Sequence, residues 1–363
     1  ETVWNQRYNG YLPYDVDRVP ILFRFVKKAG VGEMDIRPEK RRAIGYNMLN
    51  GSTCLAYGVG MGKTFCSIFS IAQNLDMGLA KRPLLLVPNS VYPQFLQEIK
   101  TLLPQYKVNG IYNCRGIYKD IAQKIEDKSI TIMAYSGLSQ LGIKNKTIGS
   151  KVFQNLVEIV NQDRNEVLED DVFTKNRINE KASMFLGLIP NTITVKDKEK
   201  KEKIQVEVPI ELFIDEMKLD YISIDEAHNF KKLFASVKPK TDLEGKKQQK
   251  SGYKISGSAV SSEAMRVFCI TQYIQEISPN KNTLLLTATP FTNSTLEIYS
   301  MLSMINYDKL KSFGFEYMQD FFDFYVSVGV ISAVDTSLNP ISKEIIEGFK
   351  NVVSMQSVLY SVI

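Results

Sequence analysis

The sequence predicts an α/β protein with a mainly parallel sheet and helices on both faces, and two observations predict it. Short apolar runs rich in β-formers recur from residue 53 onward, and stretches with apolar residues at helical spacing lie between them. That alternation is the pattern of strands joined by crossover helices.

Taken in order, residues 1–50 read as an N-terminal arm. It holds "VWNQRYNGYLP" and then "DIRPEKRRAIGYNML", where a helix begun near Pro38 sets Ala43, Ile44 and Met48 along one side. Residues 51–305 form the main α/β lobe. Its candidate strands are "TCLAY" (53–57), "LLLV" (84–87), "VNGIY" (108–112), "ITIMAY" (130–135), "YISI" (221–224) and "TLLLT" (283–287). "KTFCSIFSIAQNL" and "VYPQFLQEIKTLL" are the clearest helices between them, the first closed by Gly78. Residues 137–215 interrupt the rhythm as an insertion, with a long polar helical pattern, a Lys/Glu run and the alternating "IQVEVPI". Residues 231–262 are rich in Lys, Gly and Ser and read as a loop. Residues 306–363 read as a helical extension around an aromatic cluster, for which packing and base stacking are the two accounts.

Composition sets wide bounds. A chain of 363 residues accommodates two domains or one enlarged α/β domain, and 44% hydrophobic with 23% charged residues is ordinary for a folded globular protein. The formal charge of +5 permits an anionic partner without demanding one. "KDKEKKEK" (196–203) and "KPKTDLEGKKQQK" (238–250) hold many of the lysines, either as solvated loops or as nucleic-acid contacts. Cys54, Cys66, Cys114 and Cys269 form no CxxC pair, and one histidine leaves a zinc site hard to assemble, so reduced thiols in a cytosol-like compartment are expected. No apolar run is long enough to span a membrane.

"AYGVGMGKTF" places Gly60, Gly62, Lys63 and Thr64 between a short strand and an amphipathic helix, the context of a phosphate cradle. Glycines let backbone N–H groups turn inward, Lys63 would reach the β- and γ-phosphates, and Thr64 would ligate Mg²⁺. The strict spacing fails at one slot, held by Tyr57, so a Gly-rich turn without a ligand stays open. "YISIDEAH" puts Asp225 and Glu226 at the C-terminal end of a strand, the ligand-binding edge of an open α/β sheet. One carboxylate there could hold Mg²⁺ and the other activate water; alternatively both merely favour a helix dipole. The two segments together are the halves of a nucleotide-hydrolysis site.

At these residues the chain resembles the superfamily 2 helicase and translocase ATPases. "GVGMGKT" is similar to their motif I, "IDEAHNF" to motif II of the DEAH type, and "LLLTATPFTNSTLEIYSML" (284–302) to motif III with its flank. The flank resembles the Swi/Snf-like branch, which tolerates a non-glycine where Tyr57 stands. Within it, "WNQRYNGY", "IRPEKRRAI", "DEAHNFKKL", "SSEAMRVFCITQYI" and "FKNVVSM" resemble the phage and plasmid DarB-like helicase-region proteins.

The resemblance implies a P-loop, RecA-like first lobe and an ATP-dependent motor that translocates on DNA, with ATP and Mg²⁺ as cofactors. Gly60, Gly62, Lys63 and Thr64 would hold the triphosphate, Thr64 and Asp225 would ligate Mg²⁺, and Glu226 would be the general base. His228, Thr287 and Thr289 would couple hydrolysis to movement. Pro88, Asn89 and Ser90, with Tyr135 and Ser136, would touch the backbone of DNA, in duplex form. The residues after 302 are too few for a second lobe, so the resemblance implies that one follows in a longer chain and that this lobe alone hydrolyses ATP weakly. The implied location is cytoplasmic, or the host cytoplasm for a phage protein. The alternative is a phage structural protein, packaged in the virion with virion partners, that retains the nucleotide fold without motor activity. One slot departs from the pattern: the family's adenine-reading glutamine is replaced by Lys40.

Overall fold

The computed structural model describes residues 16–26, 36–113, 116–161, 191–196, 203–208, 210, 212–233, 236–237, 253–254, 261–289, 297–334 and 340–362. Six strands form one sheet: β1 (Ser52–Ala56), β2 (Pro83–Val87), β3 (Lys107–Ile111), β4 (Ser129–Ala134), β5 (Tyr221–Ile224) and β6 (Thr283–Thr287). Their order is β1-β6-β5-β2-β4-β3, and every pairing is parallel. All six coincide with the expected strands to within a residue.

Alternation along the strands separates two cores. Leu85, Val87, Ile130, Ile132, Leu284 and Leu286 share one core with α1 (Pro38–Asn50), α2 (Lys63–Asp76) and α3 (Tyr92–Leu102). Leu84, Leu86, Met133, Ile222, Ile224 and Leu285 point the other way. There they meet α4 (Ile117–Gln123), α5 (Lys146–Asn161), α6 (Ser262–Ile277) and α7 (Glu297–Ser312). Helices thus cover both faces, and β2, β4, β5 and β6 are buried throughout, which is why they read as mainly apolar runs without polar alternation.

In α1, Ala43 and Ile44 are buried and Met48 half-buried, as the spacing predicts. Residues 16–26 lie along α2 and α3: Gln73 accepts from the Leu22 N–H at 3.0 Å and donates to the Pro20 carbonyl at 2.8 Å, while the Val26 N–H donates to Leu102 at 2.8 Å.

The 137–215 segment is anchored at both ends. Leu141–Gly142 pairs in parallel with Leu212–Phe213, and Val152, Leu156 and Ile159 of α5 are buried in the second core beside α6. Arg266 of α6, itself buried, donates to the carbonyls of Leu138 and Leu141 and so fixes the chain as it leaves β4. Antiparallel strands Asn191–Lys196 and Lys203–Val208 flank the first lysine run.

The extension after 306 differs from the helical expectation. Helices α8 (Met318–Tyr325) and α9 (Val352–Val362) are present, but Val326–Val334 and Pro340–Phe349 pair between them as an antiparallel hairpin. The reason lies in "VSVGV", where valine at alternate positions favours extended backbone. The aromatic cluster is packing: Phe315, Phe321 and Tyr325 stack at 4.9 to 5.6 Å between centroids.

Burial pushes the thiols of Cys54 and Cys269 up to about 12 and that of Cys66 to about 11, so they resist ionisation as structural cysteines do. Among the described residues no helix is long and apolar enough to cross a membrane. Residues 4–11, the second lysine run (238–250), Cys114 and the motif III flank from 290 to 296 lie outside the described residues.

Candidate functional site

A wholly parallel sheet brings all its carboxyl ends to one edge. β6 lies between β1 and β5, with Ala56 level with Thr287 and Leu285 level with Ile224. The loop after β1, the acidic turn after β5 and the threonines closing β6 therefore meet along adjacent strands. β5 is central: on its other side stands β2, then β4.

The loop after β1 is shaped by two glycines, Gly60 and Gly62, each with φ of +84°. At Gly60 a Cβ would meet nothing within 4 Å, so the loop opens outward there. Gly62 is the left-handed N-cap of α2, and no side chain caps that helix. The first-turn N–H groups and the positive end of the dipole therefore face the concave side, an anion-binding arrangement. The Lys63 ammonium donates to the carbonyls of Tyr57 at 3.1 Å and Gly58 at 3.4 Å, folding across the loop. Thr64 follows, half-buried. Tyr57, in the irregular slot, ties the loop to α1 by donating its hydroxyl to the Glu39 carbonyl at 2.9 Å.

Asp225 is buried, and its N–H donates to Leu86 at 2.9 Å, continuing the sheet one residue past β5. Burial, and then the charge of Glu226, push its carboxyl up to about 6, with the nearby Lys63 opposing. The loop and the acidic turn are thus electrostatically in reach of one another.

Glu226 sits in the left-handed region at φ 50°, ψ 47°, a strained choice for a residue with a side chain. Its neighbours hold it there. Asn229 donates to the Glu226 carbonyl from its N–H at 3.1 Å and its side chain at 3.0 Å. Tyr135, at the end of β4, donates to the Asp225 carbonyl and lies 3.4 Å from that of Glu226, with its ring 4.8 Å from Phe230. Burial raises the Tyr135 phenol well above its ordinary range.

His228 bridges two segments. Its Nδ1 is 3.2 Å from the Glu226 carboxylate and 3.1 Å from the Thr287 hydroxyl, which in turn accepts from the Thr289 N–H at 3.0 Å. The Thr287 hydroxyl can accept from a protonated Nδ1 or donate to a bare one, and the Glu226 carboxylate stands within ion-pair distance of the same nitrogen.

The expected nucleic-acid residues divide. Pro88, Asn89, Ser90 and Ser136 line the outer rim at the ends of β2 and β4, where Asn89 accepts from the Ser136 N–H at 3.0 Å. Tyr135 instead turns inward, its hydroxyl committed to the acidic turn. Sequence reasoning missed that link, because an aromatic closing a strand carries no signal of its partner 90 residues away. It also missed a buried ion pair, Lys231 with Glu297 at 3.0 Å, which joins the segment after the acidic turn to the start of α7.

The residues suit a nucleotide and Mg²⁺: an uncapped glycine loop with open space before it, and a buried carboxylate whose raised pKa a cation would reverse. Among the described residues no three His, Cys, Asp or Glu side chains converge on one point. Mg²⁺ would therefore take most of its ligands from phosphate and water, its usual habit.

The family profile of the Type III restriction enzyme, res subunit (ResIII) matches residues 40–292. The chain belongs to the ResIII family. The ResIII match spans the glycine loop, the acidic turn and Thr287–Thr289, and it identifies a superfamily 2, helicase-like ATPase domain. Among curated proteins, this ResIII chain is similar to Defense against restriction protein B of Escherichia phage P1, 21% identical over an alignment of 350 residues that covers 86% of the chain. The chain spans 15% of that relative's length. Among solved structures it is similar to one described as the Sulfolobus solfataricus SWI2/SNF2 ATPase core in complex with dsDNA, with 16% identity and a TM-score of 0.41. That match covers 85% of this chain and 41% of the other.

Proposed function

We propose that this chain is the first RecA-like lobe of an ATP-dependent motor that translocates on duplex DNA, with a second lobe completing the site in a longer protein. The observation that carries the reading is the bridge at His228, whose one nitrogen meets both the Glu226 carboxylate and Thr287. A hydrolytic site needs a base; a motor also needs that base tied to a segment that can move.

The roles follow from position. The loop N–H groups at Gly60 and Gly62, with Lys63, hold the β- and γ-phosphates, and Thr64 and Asp225 are the Mg²⁺ ligands. When bound, Mg²⁺ supplies charge neutralisation on the phosphate oxygens. Glu226 orients and deprotonates the attacking water, fixed by its left-handed turn and flanked by His228. Thr287 and Thr289 read the state of that carboxylate through His228. Pro88, Asn89, Ser90 and Ser136 face the DNA backbone, and Tyr135 connects that rim to the acidic turn from within. A duplex partner is supported by the resemblance of "LLLTATPFTNSTLEIYSML" to the Swi/Snf-like branch and by the net charge of +5.

The test is steady-state ATPase of the full-length protein with and without duplex DNA. Stimulation by DNA is expected, and Lys63→Ala is expected to abolish nucleotide binding measured by calorimetry. Turnover that ignores every nucleic acid would sink the motor reading, and failure to bind ATP at all would favour an interaction protein built on a relic fold. His228→Ala is expected to keep nucleotide affinity while losing DNA stimulation; loss of binding in that variant would show that the bridge is not a relay.

A further inference from the structure

Lys40 does not lie where a residue outside the phosphate loop would be expected. It is the third residue of α1, and its side chain crosses directly over Gly62. A Cβ added at Gly62 would stand 2.8 Å from Lys40 Cε and 3.2 Å from Nζ, so the end of the lysine lies against the loop at the glycine that its φ of +84° requires. The ammonium is seated 4.6 Å from the centroid of the Phe65 ring, on the first turn of α2. α1 is held to the loop independently by the Tyr57 hydroxyl on the Glu39 carbonyl. Among the described residues no carboxylate pairs with Lys40. A half-buried cation thus rests on the N-cap of the helix whose first turn faces the anion position.

We infer that Lys40 is a second cation of the nucleotide site, contacting the polyphosphate rather than reading the base. This rests on the proposed nucleotide-binding reading and deepens it. An ammonium offers three donors and no acceptor, so it cannot satisfy the exocyclic amine of adenine as an amide can. It can add charge to the cradle that Lys63 begins, whatever the base. The ligand class it selects is therefore a nucleoside di- or triphosphate with weak discrimination between adenine and guanine.

The experiment is calorimetric titration of the full-length protein, Lys40→Met, Lys40→Arg and Lys63→Ala with ATP, GTP and AMP at two salt concentrations. Lys40→Met is expected to weaken ATP and GTP by the same factor, about fivefold, with a smaller effect at high salt. Lys40→Arg is expected to retain affinity, and circular dichroism of each variant separates lost contact from lost fold. Unchanged affinity in Lys40→Met, with Lys63→Ala abolishing binding, would overturn the Lys40 inference alone. A loss confined to ATP would overturn it in favour of a base contact. If the unsubstituted protein bound no nucleotide, the functional reading would fail and the inference with it.

Discussion

Glu226→Gln is expected to lower ATP turnover by about 10²- to 10⁴-fold, the range a general base contributes, while nucleotide binding persists. The substitution removes basicity and little else. The amide keeps the shape and polarity of the side chain beside His228, and the backbone that fixes the turn is held through the Asp225 and Glu226 carbonyls, by Tyr135 and Asn229, rather than through the side chain. The left-handed conformation at φ 50° therefore survives. Neither is Asp225 a substitute base, being buried and, on the proposed reading, assigned to the cation. Single-turnover hydrolysis in the full-length protein, beside ATP binding by calorimetry, checks this. A variant that kept more than about a tenth of the rate would remove Glu226 from the role of base, and one that lost binding would assign it to the ground state instead.

What the sequence made legible follows from what each element must satisfy locally. Strands buried on both faces are mainly apolar on both, and "LLLV", "YISI" and "TLLLT" announce themselves for that reason. The shapes of the loop and the acidic turn are equally local, since Gly60 and Gly62 supply the positive φ the loop adopts and the two acids follow directly on a strand end. Legibility failed where the determining contact is remote. Tyr135 stands in a segment expected to face nucleic acid, and nothing local announces that its hydroxyl donates to the carbonyl of Asp225. Lys40 was visible only as a departure from a glutamine, and its seat over Gly62 needs the packing of α1 on α2. The stretch from Val326 misled for a different reason: the aromatic density before it is helical in α8, and the valine alternation after Tyr325 marks a change of period with no glycine or proline between them.

Lys231→Met is expected to destabilise the fold by about 3 to 5 kcal/mol, the cost of breaking a buried ion pair by removing one partner. The two side chains are 9% and 0% exposed, so the carboxylate of Glu297 would lose its lysine partner in a dry interior. Methionine keeps the length of the lysine stem, which confines the loss to the charge rather than to a cavity. The double variant Lys231→Met, Glu297→Leu is expected to recover most of the loss, because it removes the buried carboxylate together with its lysine partner. Urea unfolding of the four proteins closes the cycle. A single-variant cost below about 1 kcal/mol would be the behaviour of an exposed pair and would contradict the burial. The comparison with Glu226→Gln separates two kinds of residue on one edge of the sheet. Glu226 is held in strain by others and its loss should cost rate without stability; Lys231, placed just beyond His228, holds others and its loss should cost stability first. The pair joins the tail of the acidic turn to the start of α7, beyond Thr287 and Thr289, so a partly unfolded Lys231→Met variant should also slacken the His228 bridge. In that variant DNA stimulation should fall before nucleotide binding does.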